Sequence, residues 1–330
     1  MRIRKESTQE DGVSEREQPM PLRFALNRRD LMIATVSLAG AGLWAVPGNA
    51  QTSFHKFRHG DFDITVLSDG HLVLPTTIHG LDAPREDVER LFKEAGLAPD
   101  QVKPATNPVL LRTKSDLILL DTGSGANFQP TVGKLMDNLA VANIEPKSIT
   151  KVVFTHAHPD HIWGTIGLGD ELNFPNAAYY VSAVEWDFWM DPALKSKLPE
   201  QMHVFVAGAQ ANLGAVKNTV TMVKPGDDIV TGLSVVDSAG HTPGHISLLV
   251  AGGEGLLIPA DAITEPAVYF PHPEWRFAYD MDNSVAVTNR KKLLDRAATD
   301  KMKMLGFHWP YPGLGFAERK GTAYRYVPAT

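Results

Sequence analysis

The sequence contains no cysteine in its 330 residues. Disulfide bonds, thiolate metal ligands and cysteine nucleophiles are therefore excluded, and any metal site must be built from histidine and acidic side chains. The chain also lacks a long basic run and has a formal net charge of -6. A mildly acidic chain offers little to a phosphate backbone, so we expect no nucleic-acid partner.

Long apolar runs are equally scarce, and the clearest one covers residues 31–46. This run is shorter than the roughly 20 residues that span a bilayer as a helix. The pair Arg28-Arg29 precedes it, and small residues lead to a plausible cleavage site before Gln51. These features predict a cleaved twin-arginine export signal, and hence a periplasmic or secreted protein with no stable membrane anchor. An N-terminal membrane anchor is the alternative interpretation.

We therefore predict two segments, an export signal over residues 1–50 and one domain over residues 51–330. Met20 is an alternative start within the first segment. The second segment is long enough to bury a full core, and no Ser/Gly/Pro-rich linker or internal repeat divides it.

Metal-binding residue types are concentrated between Thr155 and His161, directly after the apolar run 151–154. That run predicts a buried strand, which would send successive side chains to opposite faces. Neighbouring side chains here can converge only if the chain leaves regular structure near His156, and Pro159 favours such an exit. Clustered histidine and aspartate are typical of a site for a borderline divalent cation. Solvated loop histidines are the simpler alternative.

Further candidate ligands follow other apolar runs. Residues 233–237 lead to His241, residues 256–259 lead to Asp261, and residues 302–307 lead to His308. Strands of a sheet can present such residues from loops at one edge. The sequence therefore predicts that four strand ends direct ligands to one place.

With these residues the chain resembles the metallo-β-lactamase superfamily, whose H-x-H-x-D-H loop is matched by residues 156–161. Within it, residues 60–70, 119–123 and 321–328 resemble the group that contains methyl parathion hydrolase and the N-acyl-homoserine lactonases. The resemblance implies an α/β fold, a single αββα sandwich, and two metal ions. It assigns one ion to three histidines, the other to an aspartate and two histidines, and a bridge to the last aspartate: His156, His158, His241; Asp160, His161, His308; Asp261.

Two divalent ions would lower the pKa of a water held between them and supply a bridging hydroxide as the nucleophile. We therefore predict a metal-dependent hydrolase of lipophilic esters, either lactones or organophosphate triesters, with Asp160 and Asp261 as its catalytic carboxylates. Zinc is the expected metal, although His/Asp sites also accept manganese, cobalt or iron.

Aromatic residues near the predicted metal loops are the candidates for a substrate pocket. The resemblance points to Phe128 and Trp189, with Phe205 as a weaker match, and Tyr269 is a candidate by position after Asp261. Core packing is the alternative for Trp189, because large aromatic side chains are mostly buried. The expected partner is a small lipophilic ester, and the resemblance also suggests a homodimer.

Two further residues have alternative interpretations. Asp121 ends an apolar strand and either orients a ligating imidazole or caps a turn. His245 is expected to support the site rather than to bind metal, because the ligand set is complete without it. The remaining six histidines are expected to be ordinary core or surface residues: His55, His59, His71, His79, His203, His272.

Other functions on the same fold are a glutathione-thioester hydrolase or a β-lactamase. The first requires a basic patch that the sequence does not show, and the second usually lacks a ligand such as Asp160. A metal-binding protein without catalytic activity is the alternative outside enzymes, and its metal content would distinguish it.

Overall fold

The computed structural model describes residues 54–329, so the predicted export signal and Met20 lie outside the described residues. The helices found between residues 54 and 329 are all too short or too polar to cross a membrane. Two seven-stranded sheets dominate this part of the chain, together with two small two-stranded sheets.

The strands of the first large sheet are β1 Phe54–His59, β2 Phe62–Leu67, β7 Val109–Arg112, β8 Leu117–Leu120, β9 Lys151–Val153, β10 Ala178–Ser182 and β11 Val220–Val223. They lie side by side in the order β1-β2-β7-β8-β9-β10-β11. Neighbouring strands from β1 to β8 pair antiparallel, and those from β8 to β11 pair parallel. The parallel strands bring the ends of β8 and β9 to the same edge.

The strands of the second large sheet are β12 Asp228–Val230, β13 Leu233–Asp237, β14 Ile246–Val250, β15 Leu256–Ile258, β16 Lys303–Leu305, β17 Leu314–Lys320 and β18 Ala323–Pro328. They lie side by side in sequence order. All neighbouring pairs are antiparallel except β15 with β16. The small sheets pair β3 Gly70–His71 with β6 Ala105–Thr106, and β4 Leu74–Pro75 with β5 Gln101–Val102.

Eight α-helices occur in the part of the chain that the structure describes. They are α1 Arg85–Glu94, α2 Leu135–Val141, α3 Pro159–Ile162, α4 Ala183–Trp189, α5 Leu194–Lys197, α6 His203–Ala215, α7 Pro266–Tyr269 and α8 Asn283–Thr299. The sequence predicts helices near residues 131–142, 183–190 and 284–298, and α2, α4 and α8 begin and end within four residues of these positions. Helix α8 begins at an N-cap aspartate, Asp282, whose Oδ1 accepts hydrogen bonds from the backbone amides of Ser284 and Val285.

Alternation along the strands explains how the layers form. In β8, Ile118 and Leu120 pack into a core shared with the second sheet, whereas Leu119 faces a core shared with helices. The core between the sheets also contains Val235 and Leu248 of the second sheet. Because successive side chains point to opposite faces, each sheet has one face on its partner and one on helices.

The outer layers complete the sandwich. Helices α2, α4 and α6 cover the first sheet, with Leu139, Trp189 and Val206 in that core. Helices α1 and α8 cover the second sheet, with Phe92 and Leu293 in that core. The predicted αββα sandwich is confirmed, and because the two sheets share a core it is a single domain.

Candidate metal centre

The first ligand loop leaves regular structure where the sequence predicts. Strand β9 ends at Val153, and the short helix α3 begins at Pro159. The intervening loop carries His156 and His158, and α3 carries Asp160 and His161. All four of these side chains are buried. A strand, a loop and a helical turn in succession thus direct four polar groups inward.

Three imidazoles converge in what we call the three-histidine cluster: His156, His158, His241. The Nδ1 atom of His158 lies 3.0 Å from Nε2 of His156 and 2.9 Å from Nε2 of His241. Two nitrogens bound tetrahedrally to zinc at about 2.0–2.1 Å would lie about 3.3 Å apart. The spacing in this cluster is therefore close to that of nitrogens sharing one ion.

In a second group, the aspartate–histidine cluster, three possible metal ligands also come together: Asp160, His161, His308. The Oδ2 atom of Asp160 lies 3.5 Å from Nε2 of His161 and 3.3 Å from Nε2 of His308. His308 follows β16, so the second sheet contributes this ligand as the sequence predicts.

Asp261 lies between the two clusters. Its Oδ2 is 3.3 Å from Nε2 of His241 and 3.2 Å from Nε2 of His308, and its Oδ1 is 3.3 Å from Nε2 of His161. One carboxylate therefore contacts both clusters, which is the position required of a bridging ligand. The structure thus brings together all seven residues that the sequence assigns to metal.

The donor set fits divalent cations. Within the part of the chain that the structure describes, Oδ2 of Asp160, Nε2 of His161 and Oδ1 of Asp261 are buried without a well-formed hydrogen bond. Buried polar atoms are rarely left unpaired in native proteins. A cation among these atoms would satisfy them, and histidine nitrogen with carboxylate oxygen suits zinc.

Electrostatics also favour positive charge here. Burial lowers the pKa of His308, but Asp261 and Asp160 outweigh burial and raise this pKa to about 10. Burial likewise opposes protonation of His161, yet the carboxylates of Asp261, Asp160 and Asp121 raise its pKa well above the usual value. The carboxylates therefore stabilise a cation in the aspartate–histidine cluster.

Buried carboxylates also orient the ligands from behind. Oδ2 of Asp121 lies 2.8 Å from Nδ1 of His161, the orienting role that the sequence leaves open. Oδ1 of Asp280 lies 3.0 Å from Nδ1 of His241, and Arg290 donates to Oδ2 of Asp280 at 2.7 Å. Such partners fix the ring tautomer and direction. Asp280 and Arg290 have no ligand spacing, so nothing in the sequence marks either of them.

His245 supports the site without joining either cluster. Its Nε2 accepts a hydrogen bond from the backbone N–H of Asp261 at 3.1 Å, and its Nδ1 contacts Ser238. This contact confirms the expectation of a supporting role.

A cleft opens beside both clusters and is lined by residues of each. Asp160, Asp261 and His308 lie on its polar side. Its apolar wall consists of Leu72, Leu74, Ile78, Phe128, Phe205 and Phe277. Ligand sites commonly combine such an apolar wall with a few polar groups. Phe128 and Phe205, both named as candidates from sequence, lie in the wall and contact each other edge to face at 6.3 Å.

The other two pocket candidates are not placed in the cleft lining. Trp189 is fully buried: its Nε1 donates to Glu185 at 2.7 Å, and its ring packs edge to face against His158. Tyr269 is also fully buried, with its hydroxyl 3.1 Å from Nδ1 of His79. The expectation that they line the pocket is therefore wrong for both: Trp189 follows the alternative of core packing, and the position of Tyr269 after Asp261 gave no information on the direction of its side chain.

His79 does line the cleft, although it was expected to be an ordinary histidine. Burial is the main cause that lowers its pKa to about 3, so the ring is neutral. Phe277 stacks on His79 at 5.1 Å and on His241 at 6.0 Å. A polar ring thus lies in the cleft wall, in a stack that also includes the ligand His241.

Known proteins resemble this chain in sequence and in structure. The family model described as the metallo-beta-lactamase superfamily matches residues 103–308. AidC, described as a dizinc quorum-quenching lactonase, is 30% identical; the match covers 84% of this chain and 98% of AidC, with a TM-score of 0.79. AbOPH, described as a hydrolase in the beta lactamase superfamily, is 29% identical over 86% of this chain and 99% of its own, with a TM-score of 0.78. No curated protein matches the chain.

Proposed function

The chain belongs to the metallo-beta-lactamase superfamily and is a metal-dependent hydrolase, and from this premise we propose that it hydrolyses lipophilic esters, with lactones as the preferred class. One observation carries the proposal: two three-ligand clusters contact one carboxylate, Asp261, at the floor of a largely apolar cleft. Similarity to AidC, a lactonase, supports the choice of lactones.

The three-histidine cluster and the aspartate–histidine cluster, together with Asp261, would hold two divalent ions, which would supply a hydroxide nucleophile and polarise the substrate oxygen. The apolar wall, including Phe128 and Phe205, binds the lipophilic part of the substrate and excludes water. Asp160 faces the cleft. Its Oδ2 lies near His161 and His308, so its Oδ1 would accept the proton that the hydroxide nucleophile gives up on attack and return it to the leaving oxygen, which departs as an alcohol.

An organophosphate triester is the second candidate, because the same metal chemistry serves both ester types. The aromatic wall favours it specifically. Phe128 contacts Trp163 edge to face at 5.6 Å and Phe205 at 6.3 Å, a surface suited to an aryl leaving group.

Initial rates of the zinc-loaded or manganese-loaded protein test the substrate class. The substrates are an N-acyl-homoserine lactone, an aryl acetate and methyl parathion, and Asp261→Asn serves as the control. We expect the highest kcat/KM for the lactone and a loss of rate in the control. A higher value for methyl parathion would favour the triester, and no rate on any substrate would refute ester hydrolysis.

We further propose that the domain over residues 51–330 is exported by the twin-arginine route and acts in the periplasm or outside the cell with zinc at both clusters. Export of a folded protein would allow metal loading before transport. Fractionation of cells that express the full chain, with an Arg28→Lys/Arg29→Lys control, tests the location. Retention of the unaltered chain in the cytoplasm would contradict it.

A further inference from the structure

Glu185 lies between the two loops that carry the three-histidine cluster. It belongs to α4, and its side chain is fully buried. One loop contains His156 and His158, and the other contains His241. No role for Glu185 is evident from the sequence, because it has no ligand spacing.

Each oxygen of the Glu185 carboxylate holds one of these loops. Oε1 accepts a hydrogen bond from the backbone N–H of Ala157 at 2.8 Å, and Ala157 lies between the two histidines of the first loop. Oε2 accepts from the hydroxyl of Thr242 at 2.7 Å and from the N–H of Gly244 at 3.0 Å, both in the second loop. The indole N–H of Trp189 is a fourth donor, at 2.7 Å from Oε1.

The second loop also packs directly on α4. A Cβ atom at Gly244 would lie only 2.0 Å from the backbone nitrogen of Glu185 and 2.5 Å from its Cα. Only glycine permits this approach. The loop that carries His241 is thus seated against α4 by shape as well as by the hydrogen bonds of Glu185.

We propose that Glu185 is a positioning residue that fixes the two loops relative to each other and thereby sets the metal affinity of the three-histidine cluster. The inference rests on the proposed two-ion function. The four hydrogen bonds of Glu185 reach Ala157, Trp189, Thr242 and Gly244, none of which lies in β16 or the loop of His308. His161 has its own carboxylate partner in Asp121. The aspartate–histidine cluster therefore depends much less on Glu185.

Glu185→Gln tests the proposal, because it keeps the side-chain size but turns one acceptor oxygen into a donor that faces another donor. Zinc affinity is measured by competition with a chromophoric chelator in two backgrounds. In His308→Ala, which keeps the three-histidine cluster, we expect the added substitution to weaken zinc binding by about 10- to 100-fold. In His241→Ala, which damages that cluster, we expect a change of no more than about twofold.

Asp69→Asn is the matched control for a buried carboxylate. Asp69 is fully buried and accepts backbone hydrogen bonds from Ser124 at 2.9 Å, Gly133 at 3.2 Å and Leu135 at 2.8 Å. None of these donors lies in a ligand loop. Asp69→Asn should lower the melting temperature and leave zinc affinity unchanged in both backgrounds, because a loss of folding stability alone does not displace the ligand loops.

Equal weakening by Glu185→Gln in both backgrounds, or no weakening in His308→Ala, would overturn the role of Glu185. Weakening by Asp69→Asn that matches Glu185→Gln would overturn it too. Failure of the proposed function looks different: the unaltered chain would bind fewer than two zinc ions, or would bind two and hydrolyse no ester.

Discussion

Replacing Arg290 by methionine should destabilise the protein strongly, because Arg290 neutralises a carboxylate buried behind the metal centre. Arg290 and Asp280 are both essentially inaccessible, and their charged groups lie 2.7 Å apart. Arg290 also donates to the backbone oxygens of Ala262 at 2.9 Å and Trp275 at 2.8 Å. Methionine keeps much of the volume but leaves the carboxylate and both carbonyls without this donor.

Removal of one partner from a buried ion pair costs about 3–5 kcal/mol of unfolding free energy. In a domain of this size each kcal/mol lowers the melting temperature by about 2–4 °C. We therefore expect Arg290→Met to lower the melting temperature by about 6–20 °C. Thermal unfolding followed by circular dichroism, with and without zinc, measures the change.

Arg319→Met is the matched control. Arg319 pairs with Asp295 at 2.6 Å, but the two side chains are 52% and 58% exposed, and exposed pairs contribute little to stability. Its melting temperature should stay near that of the unaltered chain. Adding Asp280→Asn to Arg290→Met should recover part of the loss, because no unpaired buried charge remains. The reasoning fails if Arg290→Met and Arg319→Met lower the melting temperature equally.

Three further outcomes are expected. Removing metal with a chelator should lower the melting temperature, and zinc at 100 times its Kd should restore about 2.7 kcal/mol of unfolding free energy per site. A melting temperature that does not change with zinc would contradict the metal site. Asp121→Asn should weaken zinc binding by about 10- to 100-fold in His241→Ala, where only the aspartate–histidine cluster remains, and unchanged affinity there would exclude an orienting role. Phe205→Ala should raise KM for a long-chain lactone by about 10- to 100-fold with little change in kcat, because burial of a phenylalanine is worth about 1.5–3 kcal/mol; an unchanged KM would place the acyl chain elsewhere.

The candidate ligands were predictable from the sequence because metal chemistry restricts both residue type and spacing, whereas their division between two ions came from the resemblance to the superfamily. Four side chains within residues 156–161 can converge on one site only if the preceding strand ends before them, and β9 does end at Val153. The later ligands follow apolar runs that form β13, β15 and β16. Apolar runs that end in histidine or aspartate therefore suffice to indicate that the strands share one edge.

Groups that support the ligands left no such signal. Glu185 and Asp280 reach the loops that carry the ligands across long stretches of sequence, and nothing in their spacing marks them. Side-chain direction was equally inaccessible, as Trp189 and Tyr269 demonstrate. Helix α6 was missed as well, because Gly208 and Gly214 weaken its intrinsic helix preference and packing on the first sheet compensates.

The most direct test of the central claim is a zinc titration of the metal-free chain, with lactone hydrolysis followed at each addition. If the two clusters and Asp261 form one two-ion centre, the rate should rise until two equivalents of zinc are bound and then stay constant, and Asp261→Asn should remain inactive throughout. A rate that is maximal at one equivalent, or independent of zinc, would contradict the account.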